Sequence, residues 1–276
     1  MLRDRVFAVL RQYIVDAFER GPFTGNPAAV VPLEAWPDDS VLLQIAEENN
    51  LSETAYFVPD GDDLELRWFT PSVEVPLCGH ATLASAHVLF EELGDPRERL
   101  RFRTLSGNLD VVRGDGGYVL DFPAGFTKPA SEEVEASVRE VLNDAAAEVY
   151  VSYGSPFAVV QSDAALRELS PDQAAIAELP RGHLLVSAPA DSEEFDIVAR
   201  VFAPGVGIAE DPATGSAHCA FAPFWSERLA LETVRSFQAS ARGGYLNCRW
   251  READRRVDIS GRCRTFARAE IVVPEN

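Results

Sequence analysis

The feature that most constrains this chain is that it repeats itself. Residues 25–31, GNPAAVV, return as residues 154–160, GSPFAVV, at an offset of 129, and residues 67–73, RWFTPSV, return as residues 200–206, RVFAPGV, at an offset of 133. A one-residue slip sets ATLAS at 81–85 against ATGSA at 213–217. Three matches in the same order, each displaced by nearly half of the 276 residues, predict two copies of one structural unit.

Each copy reads as short strands leading to a special helix. YIVDAF, AAVV, TAYFV and LELRWF in the first copy, and YVSYG, PFAVVQ, HLLVSAP and FDIVARVF in the second, are β-branched and aromatic runs bounded by Gly, Pro and Asp. HATLASAHVLFEEL and TGSAHCAFAPFW then start with small residues and are apolar on most sides, as a fully buried helix is. Pro223 is expected to kink or end the second of these helices. The expectation is an α+β protein of two halves, residues 1–123 and 126–268, with a last strand at 269–276 returning to the first half. GFTKPA, around Lys128, reads as the linker, and the two helix N-termini are expected to look across a shared cleft.

Composition excludes several functions. A formal charge of −19 argues against nucleic acid or an anionic membrane surface as partner, because both reward clustered Lys and Arg. No apolar run reaches the roughly 18 residues of a membrane span, and charges interrupt the N-terminal stretch where a signal peptide needs an apolar block, so a cytoplasmic protein is expected. Cys78, Cys219, Cys248 and Cys263 show neither C-x-x-C spacing nor pairing, which predicts free thiols and no structural metal. Lys128 is the sole lysine and lies in the linker, leaving no Schiff-base lysine for pyridoxal phosphate. Phosphate-loop and dinucleotide glycine motifs are absent, so no cofactor is expected.

The segment EDPATGSAH, residues 210–218, interrupts apolar sequence with two carboxylates, a proline and a Thr-Gly-Ser run. Small residues at a helix start leave the first backbone N–H groups open, and those groups with the helix dipole favour an anion. The same pattern also serves as an ordinary N-cap and turn.

GNPAAVV, NNLSETAYFV, LRWFTPSVEVPLCGHATLASAHVLF and GIAEDPATGSAH together resemble the phenazine biosynthesis PhzF-like family of isomerases, over about residues 12–272. That family is related in fold to diaminopimelate epimerase and proline racemase. The resemblance implies a duplicated two-domain diaminopimelate epimerase-like fold, each half a curved, mostly antiparallel sheet around a central helix. It also implies an active site between the halves, no cofactor, and a homodimer.

Carried over by position, the resemblance makes Glu53 of LSETAYF the single acid/base that takes a proton from carbon and returns it elsewhere. Such a role needs a carboxylate in a poorly solvated place, with Asn49, Asn50, Ser52 and Thr54 at hand to hold it. His80 and Asp211 would be its catalytic partners, with Cys78, Gly79, Thr214, Gly215 and Ser216 binding a small carboxylate-bearing substrate. Thr214, Gly215 and Ser216 would offer their amides while Asp211 engages a polar substituent, and Glu210 is expected to be solvated. His87 and His183 read as core histidines; His218 is left open. The related epimerases use two cysteines, but here the second loop offers Asp211-Pro212 in place of a thiol, and Cys219 lies inside the helix. A single-carboxylate isomerase is therefore preferred over a Cys78-dependent racemase or epimerase, or a non-catalytic ligand- or protein-binding member of the fold. Phenazine synthesis itself is one of several roles this resemblance leaves open.

Overall fold

The computed structural model describes residues 7–274. In chain order the elements are β1 (Phe7–Glu19), β2 (Asn26–Pro32), α1 (Asp39–Asn49), β3 (Glu53–Asp60), β4 (Asp63–Phe69), β5 (Glu74–Val75), α2 (Gly79–His87), β6 (Arg99–Thr104), β7 (Gly107–Gly114) and β8 (Gly117–Pro123). There follow β9 (Lys128–Pro129), α3 (Glu132–Val141), β10 (Ala146–Ser152), β11 (Ser155–Val160), α4 (Asp163–Glu168), α5 (Gln173–Ala177), β12 (Leu184–Pro189) and β13 (Ile197–Ala203). The chain closes with β14 (Ile208–Asp211), α6 (Gly215–Leu229), β15 (Thr233–Gln238), β16 (Gly244–Arg251) and β17 (Arg256–Pro274). Contacts divide it into two units, one of residues 1–17, 27–120 and 262–276, the other of residues 18–26 and 121–261. Residues 18–26 thus join the second unit, where the sequence had suggested the first, and the returning C-terminal segment starts at 262, earlier than 269. The expected linker carries the short strand β9, which pairs with β10.

In the first unit β2 runs parallel to β3, β3 antiparallel to β4, β4 antiparallel to β5 and parallel to β6, and β6 antiparallel to β7. Alternation along β3 sends Tyr56 and Val58 into a core with Leu42, Ile45 and Ala46 of α1. Glu53, Ala55 and Phe57 therefore point to the opposite face of the strand. All nine residues of α2 are buried, as its all-round apolar pattern requires, and the helix continues into a single wider π turn at Val88–Glu92.

The second unit repeats the pairings on its own strands: β11 parallel to β12, β12 antiparallel to β13, β13 antiparallel to β14 and parallel to β15, and β15 antiparallel to β16. Its sheet is buried on both faces. Phe157, Val159, Leu185, Ile197, Ala199 and Val201 pack on Ala217, Phe221 and Trp225 of α6, while Ala158, Val160, Val186, Val198 and Phe202 pack under Val138 of α3, Leu166 of α4 and Ile176 of α5. Pro223 sits inside α6 and neither ends nor breaks it, because the helix carries on to Leu229.

One of the sequence matches needs correcting. Setting ATLAS on ATGSA places Ala81 opposite Ala213, yet α2 begins at Gly79 and α6 at Gly215, so the helix starts differ from that match by about one helical turn. Counting from the helix starts, Cys78-Gly79-His80 corresponds to Thr214-Gly215-Ser216. The residue in the place of Cys78 is thus Thr214, rather than Asp211-Pro212.

Candidate active site

Helix α1 ends at Asn50, whose left-handed conformation (φ 48°, ψ 38°) lets its N–H reach the carbonyl of Ala46. Asparagine tolerates that conformation better than most residues. The chain then turns into β3, whose first residue, Glu53, lies beside Ala28 of β2. Asn49 is used differently from the sequence expectation, donating to the Thr54 hydroxyl at 3.1 Å and to Oε1 of Gln12 at 3.1 Å.

Glu53 meets the start of α2. Its Oε2 lies 3.3 Å from Nε2 of His80, with 12% of the Glu53 side chain and 4% of the His80 side chain exposed. On the other side of the ring, Nδ1 of His80 lies 3.5 Å from Sγ of Cys78. Cys78 is the N-cap of α2 in an extended conformation, and its side chain makes no capping bond; its carbonyl accepts the Thr82 hydroxyl at 2.5 Å. Burial pushes the His80 pKa down to about 3, so the ring is neutral at ordinary pH and can give one proton or accept one. Glu53, His80 and Cys78 thus form one chain of contacts, a carboxylate, a neutral imidazole and a thiol.

At the start of α6 the chemistry is different. Thr214 is the N-cap, again extended and without a capping bond from its side chain. Its N–H donates to Oε1 of Gln238 at 2.8 Å, and its hydroxyl accepts from Nε2 of Gln238 at 3.0 Å while donating to Asp211 Oδ2. The Thr214 amide is therefore already spent, which corrects the expectation that it would cradle a carboxylate; Gly215 and Ser216 are the amides that remain of the three. Asp211 is buried, its Oδ1 accepting from Asn26 Nδ2 at 2.7 Å. Burial raises its pKa to about 6 against the lowering effect of the Thr214 and Asn26 hydrogen bonds. Glu210 is not solvated as expected: Arg200 grips it through two bonds of 2.7 and 2.9 Å.

His218, His87 and Cys219 have structural surroundings. His218 is buried, with Nδ1 2.8 Å from the Thr214 carbonyl and Nε2 2.8 Å from the Ser236 hydroxyl, and burial lowers its pKa to about 4. It stands where Thr82 stands in α2, and both side chains bond the carbonyl of their N-cap. His87 lies between the Tyr118 hydroxyl at 3.0 Å and the Thr265 hydroxyl at 2.9 Å. Burial pushes the Cys219 thiol up to about 12. Sequence reasoning missed Asn26 and Gln238, which fix the second loop. Asn26 stood in plain view inside the repeated GNPAAVV block, where its counterpart is Ser155.

The Phenazine biosynthesis-like protein family matches residues 15–269. A Pseudomonas aeruginosa protein named an uncharacterized isomerase is 47% identical over 247 residues, covering 90% of this chain and 92% of its own. The crystal structure of a PhzF family phenazine biosynthesis protein from Enterococcus faecalis superposes with a TM-score of 0.87 at 40% identity, covering 96% of this chain and 99% of that one. A hydroxyproline epimerase from Agrobacterium vitis shares the fold at a TM-score of 0.61 and 13% identity, over 97% of this chain and 93% of its own. Among the described residues no helix is long and apolar enough to cross a membrane.

Proposed function

The chain belongs to the phenazine biosynthesis-like family, whose relatives are named as isomerases, and from that premise we propose that it is a cofactor-independent isomerase using Glu53 as its single acid/base. The observation that carries this reading is the 3.3 Å approach of Glu53 to His80 with both side chains nearly withdrawn from water. A carboxylate there can take a proton from carbon, and a neutral imidazole next to it can pass or hold that proton while carbon loses one and gains another. The substrate is a small molecule carrying a carboxylate, which makes the adjacent C–H acidic enough to remove. Gly79 at the start of α2, and separately Gly215 and Ser216 at the start of α6, are proposed as amides suited to a carboxylate, the glycines because no side chain screens their amides. Asp211 has both oxygens engaged, so its proposed role is to position Thr214 and the start of α6 rather than to carry the proton.

A second reading rests on Cys78. Its sulfur lies 3.5 Å from His80, so a thiol could share the proton traffic as in a racemase. Against it, the corresponding position is Thr214, and Cys219 is too weakly acidic and too deeply buried to supply a second thiol. The test is exchange of carbon-bound hydrogen in deuterated water across a panel of small carboxylic acids. Glu53→Gln should slow exchange by at least ~100-fold, the usual loss when a general base is removed. Cys78→Ser should keep most of it. The reverse ranking would hand the chemistry to the thiol.

A further inference from the structure

The Cys78-x-His80 spacing gave no hint of metal binding, but folding adds a third donor. One ligand atom from each of Glu53, Cys78 and His80 lies within 4.8 Å of the others, a buried cluster of three among the described residues. We propose that this cluster is a binding site for a borderline-soft divalent cation of the zinc type, and that the bound ion switches the site off.

The donor set selects the ion. A thiolate, an imidazole and a carboxylate are what zinc takes, whereas magnesium and calcium require oxygen ligands throughout. With bonds of about 2.3 Å to sulfur and about 2.0–2.2 Å to nitrogen and oxygen, tetrahedral coordination spaces its donors about 3.4–3.6 Å apart. Nε2 of His80 and Oε2 of Glu53 are already 3.3 Å apart, and the sulfur, now 3.5 Å from Nδ1 of the same ring, has most of the movement to make. The two anionic ligands neutralise the ion, which suits it to a buried place. A metal takes the Cys78 sulfur as thiolate, so binding and loss of the thiol proton go together. Binding therefore forms three metal–ligand bonds and releases the thiol proton to solvent, with no change of oxidation state. Three protein ligands leave a fourth position open to water or a carboxylate, the pattern of an exchangeable site rather than a structural one.

The binding is independent of the isomerase reading; its consequence rests on that reading, because an ion on Glu53 occupies the electron pair that would take the proton. Cobalt is the probe, since its thiolate complexes absorb in the near ultraviolet and tetrahedral sites absorb strongly in the visible. Titrating the full chain with Co2+ at neutral pH should give a saturable thiolate-to-cobalt band at one ion per chain, abolished by excess Zn2+. Cys78→Ser should lose the band and Cys263→Ser should keep it, while Glu53→Gln should weaken binding at least ~10-fold. No band, or a band that survives Cys78→Ser, overturns the site. A band with hydrogen exchange unaffected upholds the site and sinks the assignment of Glu53 as base.

Discussion

The two buried helices start on the same backbone plan and end with different chemistry. Both N-caps are extended, neither is capped by its own side chain, and both have their carbonyl bonded by the side chain four residues on, Thr82 in one and His218 in the other. At α2 the surrounding groups are Glu53, Cys78 and His80, three side chains that can exchange a proton. At α6 they are Asp211, Thr214, Gln238 and Asn26, joined by hydrogen bonds that hold them still. A strand supplies the same contrast: Glu53 sits beside Ala28 in the first unit, and the corresponding register beside Phe157 in the second is filled by Leu185, which packs on α6. One copy keeps polar groups poised, and the other spends them on rigidity. A repeated fold can thus divide reactivity and anchorage between its copies without changing its backbone.

The most severe way to break the contrast is to make the first unit like the second. Glu53→Leu copies Leu185 and should abolish carbon-bound hydrogen exchange, by at least ~100-fold, while leaving the fold intact because the counterpart position accepts leucine. Exchange rate and thermal unfolding measured on one sample decide it; a folded variant with normal exchange would remove Glu53 from the chemistry.

The next effect is on stability and depends on pH. Asp211 is raised to about 6 from 3.8, so its neutral form is favoured by the fold. Its contribution is fully present below the unfolded value and is lost as pH rises through about 6, a change on the order of 3 kcal/mol. His218, lowered to about 4, acts in the opposite direction, losing stability as pH falls from the ordinary histidine range. Comparing wild type with Asp211→Asn isolates the first of these. The stability advantage of wild type over the variant should shrink between pH 4 and pH 7 in urea unfolding, and a constant or widening gap would show that the carboxylate is ionised in the fold throughout.

A smaller effect is expected from Thr214→Val, which keeps the shape of the N-cap and removes the hydroxyl that links Asp211 and Gln238. It should cost about 1–3 kcal/mol, the usual range for stranding buried partners. Should the loss be negligible, the bonds around α6 are not what holds that loop, and its contrast with α2 would be one of composition alone.

Much of this was legible in the sequence, for physical reasons. Strand alternation and all-round apolar helices are local patterns, so the order of elements and the two buried helices could be read from stretches such as TAYFV and HATLASAHVLF. Cys78 and His80 lie in one motif, and Glu53 came from a resemblance to known proteins rather than from its own surroundings. What stayed hidden depends on strand order. Gln238 reaches Thr214 because β15 lies beside β13, and Asn26 reaches Asp211 across 185 positions of the chain. No local pattern marks such a partner. The repeat itself misled at one point: ATLAS and ATGSA share letters, but β14 is longer than β5 while the loops that follow are equal in length, and the true helix starts fall one turn away from that match.

The way the chain is divided between its units also sets a timetable for synthesis. The second unit is complete at residue 261, whereas the first waits for residues 262–276. At the ~5–20 residues per second of translation, residues 262–274 follow residue 261 within a few seconds. The unit begun earlier is therefore completed later than its neighbour, and until that segment is made its share of β17 is missing. A chain cut before residue 262 would keep Glu53, Cys78 and His80 and still leave the unit that carries them incomplete.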